Sequence, residues 1–139
     1  MVPGGDPSSS FLHVSRETMI PILQDWRRYG MQFLVIGHDG TDEHALARRM
    51  SAREAHIAMG NKMRDAGTML YAVARLDDNG KMVGSVLVCE FNSRADLDEW
   101  LQEEPYMTGN VWQKVEVHPC KVGPSFVDLK PTAQLQPKR

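Results

Sequence analysis

The sequence predicts an α+β fold, with a four-stranded antiparallel sheet and two helices in the order strand, helix, strand, strand, helix, strand. Three observations lead to this prediction. Apolar runs rich in valine recur along residues 31–120, as expected of strands in a buried sheet. An Asn79-Gly80 pair between two of these runs favours a tight hairpin. Two intervals carry helix-start signals followed by apolar residues at helical spacing.

The first three strands are predicted from apolar runs. The run MQFLVIG at 31–37 indicates a central strand that is buried on both faces. The next two strands are predicted at 68–76 and 81–91, where β-branched and aromatic residues are frequent. Asn79-Gly80 between them supplies the hairpin turn.

The main helix is predicted over 52–66. Ser51 and Glu54 have the spacing of a capping box, in which each side chain bonds the backbone amide of the other. Gly67 suits the left-handed position that follows the last helical residue. Residues 42–50 are expected to form a turn or a short helix before it.

The second helix and the last strand follow. Ser93 and Asp96 mark a helix start, and the helix gains an apolar face from Leu97, Trp100 and Leu101. The last strand is predicted at 111–120, where apolar and polar residues alternate. One face would carry Val111, Val115 and Val117. The other would carry Trp112, Lys114, Glu116 and His118.

This order of elements is the split βαβ arrangement of ferredoxin-like domains. Its two helices cover one face of the sheet only, so the other face needs solvent or a second sheet. Valines and aromatic residues occur on both faces of the predicted strands. We therefore expect a homodimer or a higher homo-oligomer.

The domain is predicted at 31–122, between two extensions. Residues 1–30 begin with a segment of Gly, Pro and Ser that buries little apolar surface, and they contain an amphipathic stretch that predicts a short helix at 18–28. Residues 123–139 form a tail with three prolines.

The amino-acid composition excludes several classes of function. The chain has 139 residues, 16 basic and 18 acidic, with no basic block, so a nucleic-acid partner is not expected. No apolar run is long enough to span a membrane. Cys89 and Cys120 are too few for a disulfide framework, so a cytoplasmic protein is expected. Phosphate-loop, serine-hydrolase and zincin motifs are absent from the sequence, and no cofactor is expected.

His56 is the most informative candidate for chemistry. On a helical projection it falls beside the apolar face that would cover the sheet, formed by Ala52, Met59, Met63 and Ala66, and by Ala45 if the helix extends that far back. It is either a core histidine bonded to a carbonyl or hydroxyl, or a general base in a cleft. Arg53, one turn earlier, would bind an anionic substrate group or be solvated at the helix surface.

Other candidates are weaker. Glu103 and Glu104 stand before Pro105-Tyr106, as a solvated helix end or as a carboxylate partner for a base. Tyr71 and Tyr106 would line an aromatic substrate cleft or serve as packing residues. His38, His118 and Cys120 lack a second ligand pair at zinc spacing, so no metal site is predicted.

Several short motifs, in this order, resemble the YciI-like (YCII-related) family over residues 31–122. They are Arg53-x-x-His56 after a serine, the strand entry after Gly67, Glu104-Pro105-Tyr106, and Val115-x-Val117-x-Pro119-x-Lys121-Val122. The resemblance implies a dimeric α+β barrel, in which ferredoxin-like protomers pack their sheets face to face. It also implies a His–Asp pair as the active site, with His56 at the histidine position.

This sequence departs from the family pattern at two places. Glu104 stands where the family has aspartate, and the longer side chain shifts the carboxylate by about 1.5 Å. Val73-Ala74 stands where a Gly-Pro pair is common, so a loop at the pocket is expected to differ.

One relative implied by the resemblance is a dehydrochlorinase that acts on a chlorinated hydroxyhydroquinone. The sequence thus favours a small cofactor-independent lyase or isomerase acting on a small aromatic or enol-type metabolite. His56 and Glu104 would be catalytic, and Arg53, Tyr106 and Tyr71 would bind substrate. The alternatives are a non-catalytic ligand-binding or interaction module, and a haem- or quinone-handling monooxygenase of the wider superfamily.

Overall fold

The computed structural model describes residues 30–126. Its strands are β1 (Met31–Asp39), β2 (Met69–Leu76), β3 (Met82–Phe91) and β4 (Trp112–Cys120), and its helices are α1 (Ala45–Ala66), α2 (Arg94–Glu103) and the short α3 (Pro105–Thr108). A 3-10 turn, Pro124–Phe126, follows β4. The helix predicted at 18–28 and the last part of the predicted tail lie outside the described residues. No helix among residues 30–126 is long and apolar enough to cross a membrane.

The strands form one sheet in the order β2-β3-β1-β4, and every neighbouring pair is antiparallel. With β1 and β3 at the centre and the helices in the crossovers, this is the ferredoxin-like α+β fold. The fold prediction is confirmed. Gly80 closes the hairpin between β2 and β3 with a φ of 83°, which glycine adopts without strain.

The two faces of the sheet differ in burial. Phe33 and Val35 of β1 and Leu87 and Cys89 of β3 are at most 2% exposed, and they pack with Leu97 of α2 in the core. We call this the helix face. The residues that alternate with them point the other way, and we call that side the open face. Its apolar members are Leu34, Ile36, Tyr71, Val73, Val86 and Val88.

Helix α1 starts earlier than predicted, at Ala45 rather than residue 52. Ser51 lies inside the helix, so its interpretation as a cap was wrong. The segment 45–50 consists of good helix formers, which let the helix continue towards its N-terminus. The other end is as predicted: Gly67 is left-handed with a φ of 85° and donates its amide to the Arg64 carbonyl.

Trp112 was predicted on the polar face of the last strand, and this was wrong. His38 pairs with Lys114 but Asp39 pairs with Trp112, so β4 has one extra residue at this point. Such a bulge reverses the alternation of side chains. Trp112 therefore points to the helix face, where it is 3% exposed. Gly37 makes room for it, since a Cβ there would lie 2.5 Å from the indole ring.

Candidate active site

His56 of α1 and Glu104, between α2 and α3, lie in contact although they are 48 residues apart in the chain. His56 Nδ1 is hydrogen-bonded to Glu104 Oε1. The Glu104 side chain is 2% exposed and the His56 side chain 18%. The structure thus brings together the two residues predicted to be catalytic, with the carboxylate sealed and the imidazole partly open.

Local backbone geometry fixes the Glu104 carboxylate. Glu104 precedes Pro105 and has an extended backbone, with a φ of −63° and a ψ of 127°, as a residue before proline prefers. It is the N-cap of α3, and Oε1 accepts a hydrogen bond from the Tyr106 amide at 3.1 Å. The same oxygen therefore meets both the backbone and the imidazole.

The hydrogen bond to Glu104 determines which ring nitrogen of His56 is available to accept a proton. With Nδ1 engaged by a carboxylate, the proton of the neutral ring resides on Nδ1. Nε2 then carries the lone pair, and it has no hydrogen-bond partner among residues 30–126. The arrangement can accept a proton at Nε2 while Glu104 stabilises the resulting positive charge.

Aromatic rings hold the imidazole in place. The Tyr106 ring stacks on His56 with centroids 3.8 Å apart and planes 9° apart. Trp112 meets His56 edge-on at 5.9 Å and Tyr106 at 5.5 Å. Burial raises the pKa of the Tyr106 hydroxyl, and the positive charges of Arg49 and Arg53 oppose this shift. Tyr106 is therefore a neutral packing surface for His56.

The predicted substrate-binding residues lie in two places. Arg53 is exposed on α1, one turn before His56, and its charge acts on Tyr106. Arg53 and Tyr106 are thus beside the His56–Glu104 pair. Tyr71 is 67% exposed and pairs with Val88 on the open face, so the sheet separates it from His56 within one protomer.

An open cleft of about 480 Å³ lies beside the pair, between α1 and α3. Its lining includes Ala52, one turn before His56, and Pro105, which directly follows Glu104. The walls near the pair are made of small side chains, Ser51, Ala55 and Gly109 among them. His56, Glu104, Arg53 and Tyr106 do not line this cleft, which adjoins the pair through Ala52 and Pro105.

A buried polar network beside the pair was missed by the sequence analysis. Arg49 donates to both carboxylate oxygens of Asp39 at 3.0 Å and to Ser85 Oγ at 2.9 Å. Trp112 Nε1 donates to the same hydroxyl at 3.2 Å. A signal was present, since Arg49 is seven residues before His56 and so lies on the same face of a continuous helix.

Histidines also meet on the open face. His38 Nε2 lies 2.7 Å from one oxygen of Glu116, and His118 Nε2 lies 3.3 Å from the other. These hydrogen bonds hold the pKa of Glu116 below its ordinary value. Within residues 30–126 no three metal-binding side chains come together.

Comparison with known proteins agrees with the motifs. The model of the YCII-related domain family matches residues 31–121. The chain belongs to the YCII-related family. The YciI proteins of Escherichia coli O6:H1 and Shigella flexneri are each 30% identical to this YCII-related protein over 97 residues, which cover 66% of its chain and 97% of theirs.

A solved structure shares the fold of this YCII-related protein. It is the 5-chloro-2-hydroxyhydroquinone dehydrochlorinase of Burkholderia phenoliruptrix AC1100, in complex with 2,5-dihydroxybenzoquinone. The two superimpose with a TM-score of 0.58 at 21% identity, over 67% of this chain and 96% of the dehydrochlorinase. At this level of identity the likeness shows the common fold.

Proposed function

We propose that the protein is a small cofactor-independent lyase or isomerase that acts on a small aromatic or enol-type metabolite. The observation that carries this proposal is the hydrogen bond between Nδ1 of the partly open His56 and the buried Glu104. A carboxylate placed behind an imidazole is the arrangement of a general base, because it fixes the tautomer and stabilises the imidazolium.

The reaction begins with a proton transfer to His56. The proton of a phenolic O–H or of an acidic C–H passes to Nε2, and its electron pair remains on the substrate. In an elimination this pair forms a new π bond and expels a leaving group such as chloride. In an isomerisation the electron pair takes up a proton at another atom of the substrate. Neither route needs an external oxidant or reductant.

Substrate binding is assigned to Arg53. Arg53 is an exposed cation one turn from His56 and suits an anionic oxygen such as a phenolate. Tyr106 is 1% exposed and stacks on the imidazole, so its ring supports His56 and offers no surface to the substrate. The fold shared with a dehydrochlorinase that holds a dihydroxybenzoquinone supports a hydroquinone-like substrate.

Comparison of His56→Gln with the wild-type protein tests this proposal. Both are assayed for chloride release and for turnover across a panel of chlorinated hydroxyhydroquinones. Loss of a general base should lower kcat by about 10²- to 10⁴-fold. Lys62→Gln is the matched control, because Lys62 is exposed on α1, does not line the cleft and should leave kcat unchanged. Equal kcat values for wild type and His56→Gln would refute the assignment of the base.

We further propose that a second copy of the chain covers the open face. Tyr71 and Val73 are 67% and 48% exposed there, which leaves a contiguous apolar surface on a small domain. Packing of two such faces about a two-fold axis would bury it. Sedimentation should give a dimer for wild type and a monomer for Val73→Asp, whereas Ala58→Asp on the exposed side of α1 should stay dimeric. A monomeric wild-type protein would refute this proposal.

A further inference from the structure

A buried arginine lies two helical turns before His56 on α1. Arg49 is 3% exposed, and each guanidinium nitrogen is occupied or sealed. Nη1 donates to Asp39 and Nη2 to Ser85, while Nε is buried with no hydrogen-bond partner among the described residues. Arg49 is thus sealed from solvent, unlike the exposed Arg53 one turn later.

The Arg49 guanidinium packs on the ring that supports the imidazole. Its central carbon lies 4.8 Å from the centroid of the Tyr106 ring. His56 covers one face of that ring at 3.8 Å and leaves no space there for a second group. Seven residues of helix rise about 10.5 Å, which is enough to place the ring between the two side chains. Tyr106 is therefore held between His56 and Arg49.

Two residues of the sheet hold the Arg49 side chain in place. Asp39 ends β1 and Ser85 lies in β3, the neighbouring strand. Both are on the helix face, at 8% and 4% exposure. The Ser85 hydroxyl also receives the Trp112 indole N–H, and Trp112 meets the edge of Tyr106. Contacts therefore run without a break from the sheet through the Arg49 guanidinium and the Tyr106 ring to the His56 imidazole.

Stability alone is a poor reason for this arrangement. Desolvation of a buried ion pair largely cancels its attraction, and apolar residues of similar volume are often as stable or more so. The unpartnered Nε adds a further cost. What the ion pair does provide is a rigid planar surface at a defined place, against the ring on which His56 lies.

We propose that Arg49 is a positioning residue of the His56 site. It holds the Tyr106 ring from the face opposite His56 and thereby fixes the orientation of the imidazole towards substrate. This inference rests on the proposed role of His56 as the base. It assigns to Arg49 no contact with the substrate.

Arg49→Lys tests the inference in the full-length chain. Lysine keeps a cation near Asp39 but lacks the planar guanidinium that packs on Tyr106. Arg48→Lys is the matched control, because Arg48 is the next residue along the helix and is bonded through two nitrogens to Asp42 on the surface. The first readout is the NMR chemical shift of the His56 ring protons. The ring current of the stacked Tyr106 side chain changes this shift.

In Arg49→Lys the His56 signals should move towards those of the exposed His44, and in Arg48→Lys they should stay. With a turned-over substrate, kcat should fall by about 10- to 100-fold in Arg49→Lys while KM is unchanged, since misplacement of a catalytic group affects the reacting geometry. Unmoved His56 signals in a folded Arg49→Lys protein would overturn the inference, as would an unchanged kcat.

Ser85→Ala is the second variant, in case Arg49→Lys does not fold. It removes the acceptor of Arg49 Nη2 but retains the cation and Asp39, and the same His56 signals should move in the same direction. The NMR readout requires no turnover. An active His56→Gln enzyme would refute the proposed function, whereas fixed His56 signals would refute the role of Arg49.

Discussion

The buried Asp39–Arg49 pair makes a quantitative prediction about stability. In Arg49→Met, the Asp39 carboxylate loses both hydrogen bonds from Nη1 and stays buried at 3% side-chain exposure without a counter-charge. Removing one partner of a buried pair costs about 3–5 kcal/mol. The lost contact with Tyr106 adds about 1 kcal/mol. The variant should therefore lose about 4–6 kcal/mol, a large share of the ~5–15 kcal/mol that stabilises a typical domain.

A double-mutant cycle isolates the pair from its surroundings. In Asp39→Leu with Arg49→Met, no charge remains buried, and Ser85 keeps its hydrogen bond from Trp112. The double variant should lie within about 2 kcal/mol of wild type, because an apolar replacement of a buried ion pair is often neutral. The coupling between the two sites then exceeds about 2 kcal/mol, well above the scatter of independent sites.

Urea unfolding followed by tryptophan fluorescence measures each free energy of unfolding. All variants are compared at one protein concentration, since self-association would change the apparent stability. A loss below about 1 kcal/mol in Arg49→Met would contradict the reasoning. A double variant whose loss equals the sum of the two single losses would also contradict it, because that outcome means that the charges do not compensate each other.

Three further predictions follow from single features of the structure. Burial raises the pKa of Cys89 to about 12, so iodoacetamide should label the exposed Cys120 in the native protein and Cys89 only after unfolding. Gly37→Ala should destabilise by about 1–3 kcal/mol in thermal or urea unfolding, because its Cβ would lie 2.5 Å from Trp112. The pKa of Tyr106 is raised on folding, so the free energy of unfolding should fall as pH rises above about 10, and Tyr106→Phe should reduce that fall.

The strands and the second helix were predictable because local signals specify them. The Asn79-Gly80 turn acts within a few residues. So does the cap of α2, in which Ser93 Oγ accepts a hydrogen bond from the Asp96 amide at 3.1 Å. The face of Trp112 could not be read in the same way. It depends on a bulge, which arises from pairing with β1 and leaves the alternating pattern of β4 unchanged in the sequence.

The candidate site, too, was predictable where local signals specify it and not where distant residues meet. Helical projection placed His56 beside the core, but its contact with Glu104 joins residues 48 apart. The residues alone left Glu104 as a solvated helix end or a partner for a base, and the family resemblance was needed to pair it with His56. Arg49 was missed for a definite reason. With the helix start placed at Ser51, Arg49 lay outside the helix and had no face to share with His56. The observed start at Ala45 restores that relation.

Glu104, at the position where the family resemblance implies aspartate, is compatible with the paired site. An extra methylene would displace the carboxylate by about 1.5 Å if the backbone were unchanged and the side chain extended. In the structure Glu104 caps α3, and Oε1 turns back to the Tyr106 amide at 3.1 Å. The same oxygen also meets His56 Nδ1. The backbone of Pro105 and Tyr106 thus helps determine where the carboxylate lies, and the charge behind the imidazole is retained.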